Sequence, residues 1–350
     1  MRAADGRLLV ALLDGQVPPG AVAPLDADDL GGLLYAQGHG DACYAAIHLQ
    51  TAADNLRHLC AVARICDDLS ATGAEPLVLP GAALLRLYPD LGCRPMDDID
   101  LLAPPGKREQ VVQALVAHGW EAPPRHPNLF TRSDGCTIDL HTDLLNGDRL
   151  SARRRAGWID PGLAWSRRRR RDVAGFSFLT LSDEDELLIT TAHALRHSYR
   201  RLIWLVDLGL QLRQPGIDAE HLGSHAMATA LDKPLTYALV LLNTADVALP
   251  PWAVRWCIQQ EPGTLVSTAL LWIHRHRRET VAGEILGCWT CRRISDRFRL
   301  LAEFVFPGRA VLLQVFPRLP HVLAPLAYPL RLLQIVWRGV AEFALAALRR

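Results

Sequence analysis

The sequence is short of most features that announce a class at sight. No window of its 350 residues reaches the roughly eighteen consecutive apolar residues that a membrane-spanning helix needs, although half of the chain is hydrophobic. The opening stretch carries only a six-residue apolar run, 8–13, followed by Asp14 and no small-residue cleavage site. A secretory signal needs more than that. Charge of one sign is not in excess either: 38 Lys and Arg against 37 Asp and Glu leave a formal +1, which excludes a global attraction to nucleic acid or anionic lipid. Any basic surface is therefore local. Eight cysteines, among them Cys43, Cys60, Cys66 and Cys93, are scattered without a disulfide framework and suit a reducing compartment. No internal repeat or low-complexity tract appears. These absences lead to the expectation of a cytoplasmic protein with one large or two modest domains around a substantial core.

What is present concentrates in residues 77–141. A short apolar run meets Gly81-Ala82, a helical segment follows, and Asp98-Ile99-Asp100 opens a second apolar run. The segment closes on Thr137-Ile138-Asp139-Leu140-His141. Strand side chains alternate faces, so Asp98 and Asp100 share one side while Ile99 and Leu101 take the other. Asp139 and His141 alternate in the same way with Ile138 and Leu140. If the two strands are neighbours, three carboxylates converge, and such a cluster requires a cation, with oxygen donors favouring magnesium or manganese. Phosphoryl or nucleotidyl transfer is the chemistry it serves best.

At these residues the chain resembles the DNA polymerase β-like nucleotidyltransferase superfamily, and more narrowly a bacterial nucleotidyltransferase family of largely uncharacterised function. Gly81, Leu84, Tyr88, Pro89, Arg94, Pro95, Met96, Asp98, Asp100, Asp139 and His141 match the narrower pattern. Two positions depart from it: Pro80 stands where a Lys is expected, and Ala82 where the wider superfamily has Ser. Both departures remove groups that hold a triphosphate. The resemblance implies an α/β (α+β) fold, with a small mixed-sheet core flanked by N-terminal helices and a C-terminal helical domain. It implies catalytic and metal-binding roles for Asp98, Asp100 and Asp139, with Mg²⁺ or Mn²⁺ as cofactor. Nucleotide contacts fall to Gly81, Ala82 and Arg94, and His141, His193 and His197 are candidate rim residues.

Elsewhere the chain reads as a helical segment over 1–73, the catalytic core over 74–145, an Arg-rich connection over 146–181 and a helical domain over 182–350. Leu56, Leu59, Cys60, Ala63, Cys66 and Leu69 recur at helical spacing and stop at Gly73. Residues 107–118 read as a helix ended by Gly119, and Ser133-Asp134-Gly135 as a hairpin turn. Two arginine clusters, 153–155 and 167–171, flank Trp158 and Trp165; they read either as a site for RNA or another polyanion or as a solvated face. Ser182 with Asp183, Glu184 and Asp185 marks a helix start. That helix places His193 and His197 four residues apart on one face, suited to a metal, a phosphate or simple packing. Cys288 and Cys291, with His274 and His276 upstream, make a weak zinc pattern. The last segment, 330–350, is apolar with Arg331, Arg338, Arg349 and Arg350, and reads as a helix that closes the bundle or touches a membrane surface weakly.

The reaction expected is transfer of a nucleoside monophosphate from a nucleoside triphosphate to a hydroxyl acceptor, which is a small molecule, peptide, protein or RNA. Two alternatives stand beside it: a catalytically degenerate nucleotide-binding module, and an RNA-directed partner protein that uses the arginine clusters.

Overall fold

Alternating apolar residues in six short segments build one mixed sheet, and it positions everything that follows. The computed structural model describes residues 3–17, 27–145, 147, 150–276, 281–316, 320 and 325–347. Its strands are β1 (Leu77–Val78), β2 (Ile99–Leu102), β3 (Leu129–Thr131), β4 (Thr137–His141), β5 (Arg169–Val173) and β6 (Phe176–Thr180), in the order β3-β4-β2-β1-β6-β5. β2 and β4 run parallel, β1 and β6 run parallel, and the remaining neighbours are antiparallel. The sheet thus draws on residues beyond 145, because β6 adds to the free edge of β1 and carries β5 with it.

Helices cover both faces. α1 (Ala3–Asp14), α2 (Ala27–Ala36) and α3 (Ala42–Ser70) precede the sheet, and α4 (Arg108–Ala117) and α5 (Pro161–Ser166) interrupt it. After it come α6 (Asp183–Arg196), α7 (Leu202–Leu212), α8 (Ala219–Thr229), α9 (Asp232–Thr244), α10 (Pro251–Gln259), α11 (Thr264–His276), α12 (Val281–Thr290), α13 (Ile294–Val305), α14 (Arg309–Val315) and α15 (Ala327–Ala347). On one face Ile99, Leu101, Ile138 and Leu140 pack beneath Leu59, Val62 and Ile65 of α3 and Val111 and Leu115 of α4. On the other face Leu77, Leu79 and Leu102 join the larger core with α1, α2, α6, α7 and α9. The fold is α/β, as expected: a mixed sheet among helices. The helix ends follow the sequence signals too. Ser182 Oγ accepts from the Asp185 N–H at 3.2 Å, His118 caps α4, and Gly119 continues at a φ of +79°.

The second arginine cluster is largely matched by acids within the fold. Arg167 forks onto Asp185, Arg170 onto Glu75, and Arg171 meets Asp183 at 2.7 Å. Arg168 lies over Trp165 at 4.9 Å. In the first cluster Arg154 reaches Asp143 at 3.1 Å and Arg155 reaches Asp296 at 3.6 Å. At the far end of the chain, α15 turns Leu330, Leu333, Val336 and Trp337 outward, while Arg331 reaches back over Phe304. The side chains of Arg338, Arg349 and Arg350 lie outside the described residues. Among the described residues no helix is long and apolar enough to cross a membrane.

One buried ion pair joins the sheet layer to the helices after it. Arg94, in the loop before β2, donates through Nε and Nη2 to the two Asp207 oxygens, each at 2.8 Å, and the Tyr88 hydroxyl donates to Asp207 Oδ1 at 2.6 Å. Asp207 is 1% exposed. Removing one partner leaves the other as an uncompensated buried charge, which costs about 3–5 kcal/mol. Asp207→Ala should lower the urea-unfolding free energy on that scale, and the paired change Arg94→Met with Asp207→Leu should recover most of it. Equal losses for the single and the paired variant would contradict this account.

Candidate active site

The register between β2 and β4 brings the acids together. Asp100 pairs with Asp139 directly across the two parallel strands, two residues before Leu102 meets His141. Parallel neighbours show the same face at paired positions, so Asp100, Asp139 and His141 stand side by side, while Ile99, Leu101, Ile138 and Leu140 are fully buried behind them. His141 Nε2 lies 2.7 Å from Asp100 Oδ1 and 3.7 Å from Asp139 Oδ2. One donor atom from each of the three falls within 4.8 Å of the other two. Asp98 sits one residue before β2 and lines the same cavity as all three.

Asp98 is crowded by like charge. Burial first, then the charges of Asp100 and Asp139, push the Asp98 carboxyl up to about 7, and only His141 among the leading influences pulls it down. A carboxyl so displaced marks an excess of negative charge facing a cleft, a common signature of a functional centre. Carboxylate oxygens beside one imidazole are a donor set that fits a small divalent cation.

The cavity has a volume of about 360 Å³, within the range of roughly 300–1,000 Å³ typical of small-molecule sites. Its floor is the carboxylate face of the sheet, and one side is the β1 turn, where Gly81 adopts a φ of +123° that side-chain-bearing residues rarely take. The opposite wall is α6 and α7. His193 and His197 line it, with ring centroids 4.7 Å apart and 5.2 and 5.4 Å from Trp204. Burial, then Arg196 and His197, hold His193 well below the usual imidazole range, so it is neutral at pH 7. The described residues form two groups of three metal-capable side chains, and neither includes His193 or His197.

The structure thus collects Asp98, Asp100, Asp139, His141, Gly81, His193 and His197 around one cavity. Ala82 is buried behind the turn. Arg94 also reaches the wall, but its guanidinium fork is engaged by Asp207. Two further cationic side chains line the cavity: Arg153, offered by the sequence only within the 153–155 cluster, and Arg196, not singled out in the sequence. The signal for Arg196 was available: Ile189, His193 and Arg196 recur at the period of one helix face. For Arg153 the signal was the 153–155 run itself, which marks a basic stretch without showing which of its three arginines turns toward the cavity. Cys288 and Cys291 are buried and not joined in a disulfide, and the side chains of His274 and His276 lie outside the described residues.

Comparison with known families matched residues 44–245, from α3 to the end of α9, to a family described as uncharacterised nucleotidyltransferase. No curated protein and no solved structure matched the chain.

Two substitutions test the site without any assumption about its substrate. At Gly81 an added Cβ would meet nothing within 4 Å, so Gly81→Ala should cost backbone strain alone, about 1–3 kcal/mol, read by chemical denaturation. In chelator-treated protein at pH 8, Asp98→Asn should raise the thermal midpoint by roughly 2–4 °C by relieving the crowding of like charges. A lowered midpoint would show that the Asp98 charge is compensated in the folded state.

Proposed function

Because the chain belongs to the uncharacterised nucleotidyltransferase family, we propose that it moves a nucleoside monophosphate from a nucleoside triphosphate to a hydroxyl acceptor and releases pyrophosphate. The observation that carries this reading is the pairing of Asp100 with Asp139 in adjacent parallel strands, with Asp98 beside them, at the floor of one cavity. Asp98, Asp100 and Asp139 would hold Mg²⁺ or Mn²⁺, with His141 fixing the Asp100 carboxylate. Such ions, when bound, neutralise the triphosphate and lower the pKa of the attacking hydroxyl.

The residues then divide the work. Backbone N–H groups at the Gly81 turn approach the phosphates closely because no side chain intervenes. Arg153 and Arg196 place positive charge along the same cavity, which offsets the positions held by Pro80 and Ala82 in a turn that lacks Lys and Ser. Asp139 orients the acceptor hydroxyl and takes its proton as the new bond from oxygen to the α-phosphorus forms. The bond from the α-phosphorus to the oxygen bridging the β-phosphate breaks, and pyrophosphate leaves with that electron pair. Trp204 and the neutral His193 exclude water, so hydrolysis does not compete.

Gly283, Gly287 and Thr290 of α12 complete the cavity wall from outside the stretch that matches the family. We assign the acceptor side of the pocket to these residues, since shared chemistry belongs with the shared segment. Incubating the protein with each labelled nucleoside triphosphate, Mg²⁺ or Mn²⁺ and a cell extract would identify both substrates by label transfer.

Asp139→Asn separates transfer from binding. The variant keeps the shape of the side chain and one oxygen donor, so Mg²⁺-triphosphate affinity should stay within a few-fold of wild type while transfer falls at least about a hundredfold. Side-by-side measurement of affinity and label transfer checks it. Undiminished transfer would make Asp139 a strand residue without a chemical role.

A further inference from the structure

A second group of donors lies away from this cavity and is independent of the transfer reaction. His48 on α3, Asp90 and Cys93 each offer one atom within 4.8 Å of the other two. His48 Nε2 is 3.3 Å from Asp90 Oδ1, and Cys93 Sγ is 3.5 Å from the same oxygen. Cys93 is 0% exposed, whereas the Asp90 side chain is about half open to solvent, at 48%.

The tautomer of His48 follows from its other nitrogen. Nδ1 lies 3.1 Å from the Gly32 carbonyl oxygen, which can only accept, so Nδ1 carries the proton. A neutral His48 then turns the Nε2 lone pair toward a carboxylate, an arrangement that only a second proton or a cation makes favourable. Fixing one imidazole nitrogen on a backbone carbonyl is also how metal-binding histidines are oriented. The separations agree with a shared cation. Bonds of about 2.0–2.1 Å to nitrogen, 2.0–2.2 Å to oxygen and 2.3 Å to sulfur, at tetrahedral angles, put nitrogen and oxygen about 3.4 Å apart and sulfur and oxygen about 3.6 Å apart. The observed 3.3 Å is longer than the roughly 2.7–2.9 Å of a direct charge-assisted hydrogen bond.

The backbone around the group is shaped to make this approach. A Cβ on Gly92 would stand 2.4 Å from His48 Nδ1 and Cε1, and one on Gly32 would stand 1.9 Å from the Gly92 carbonyl oxygen. Only bare backbone at both positions lets the 90–93 turn close over the imidazole. The Gly92 N–H also donates to Asp90 Oδ1 at 2.7 Å and fixes that carboxylate.

We propose that His48, Asp90 and Cys93 bind a zinc-type cation, with a solvent molecule as fourth ligand on the open Asp90 side, and that the ion fastens α3 and the adjoining α2 to the loop carrying Tyr88, Arg94 and Asp98. One thiolate, one imidazole and one carboxylate form a borderline-soft set that selects Zn²⁺ over Mg²⁺, whereas the oxygen-rich floor of the cavity selects the harder ion. Binding displaces the Cys93 thiol proton to solvent.

The test uses the chelator-treated full chain titrated with Co²⁺ as a spectroscopic substitute for Zn²⁺. Wild type should show a near-ultraviolet thiolate-to-cobalt band that saturates at one ion per chain and is abolished by added Zn²⁺. Cys93→Ser should lose the band, and His48→Gln should weaken Co²⁺ binding at least about tenfold. Asp139→Asn and the double variant Cys288→Ser with Cys291→Ser should keep it. No band in wild type, or an unchanged band in Cys93→Ser, overturns the proposal. If Cys93→Ser fails to fold by circular dichroism, Asp90→Asn decides, because its half-exposed side chain tolerates replacement: unchanged Co²⁺ affinity there overturns the site equally.

Discussion

The structure depends on a buried charge matched by a single arginine. Asp207 on α7 is enclosed, and the Arg94 fork with the Tyr88 hydroxyl satisfies it. Two charges removed from water hold each other strongly because neither can find solvent as a substitute. The pair therefore sets the distance between the loop that enters β2 and the wall made by α6 and α7. Between them lies the cavity, with the carboxylates of the sheet as its floor. Fold and site have a common cause: the pocket is the space left where a charged strand face meets helices held in place by another ion pair.

The rest of the acidic residues make the contrast informative. In the first turn of α6, Asp183, Asp185 and Glu186 receive Arg171, Arg167 and Arg86, and Glu75 receives Arg170. Acids and arginines that look like separate clusters along the chain become matched pairs that tie the end of α5, β5 and the 3-10 helix Ala83–Leu87 to α6 and to the segment before β1. At the carboxylate floor burial and the charges of Asp100 and Asp139 push the Asp98 carboxyl up. Acids brought together at one cleft, with the carboxyl of one of them displaced upward, have an electrostatic signature common at functional centres.

Legibility in the sequence tracked locality. The alternation of Asp98, Asp100, Asp139 and His141 with buried Ile and Leu needed only the period of a strand, and the start of α6 needed only a Ser and the acids after it. Arg94 matched its family pattern at the right position, yet its charge partner lies 113 residues away on a helix, beyond any local period. The 167–171 run invited a polyanion site as readily as a solvated face; the acids that engage it are distributed over Glu75, Asp183 and Asp185.

By itself, then, the sequence determined which face of β2 and of β4 is polar, where α4 ends and α6 begins, and that three carboxylates are available to meet; β5 and β6, inside the Arg-rich stretch, were not legible as strands. Those properties are set by neighbours within a few residues, through pleat, helical period and capping. Only the tertiary structure decided that β2 and β4 are parallel neighbours in the register that sets Asp100 beside Asp139, and that Arg153 and Arg196 reach the same cavity. It alone brought His48 to Asp90 and Cys93, where two glycines leave room for a backbone to close over a ring. The reason is physical: register and approach are fixed by packing the whole core, where side chains distant in sequence compete for the same volume, and no local pattern encodes the outcome.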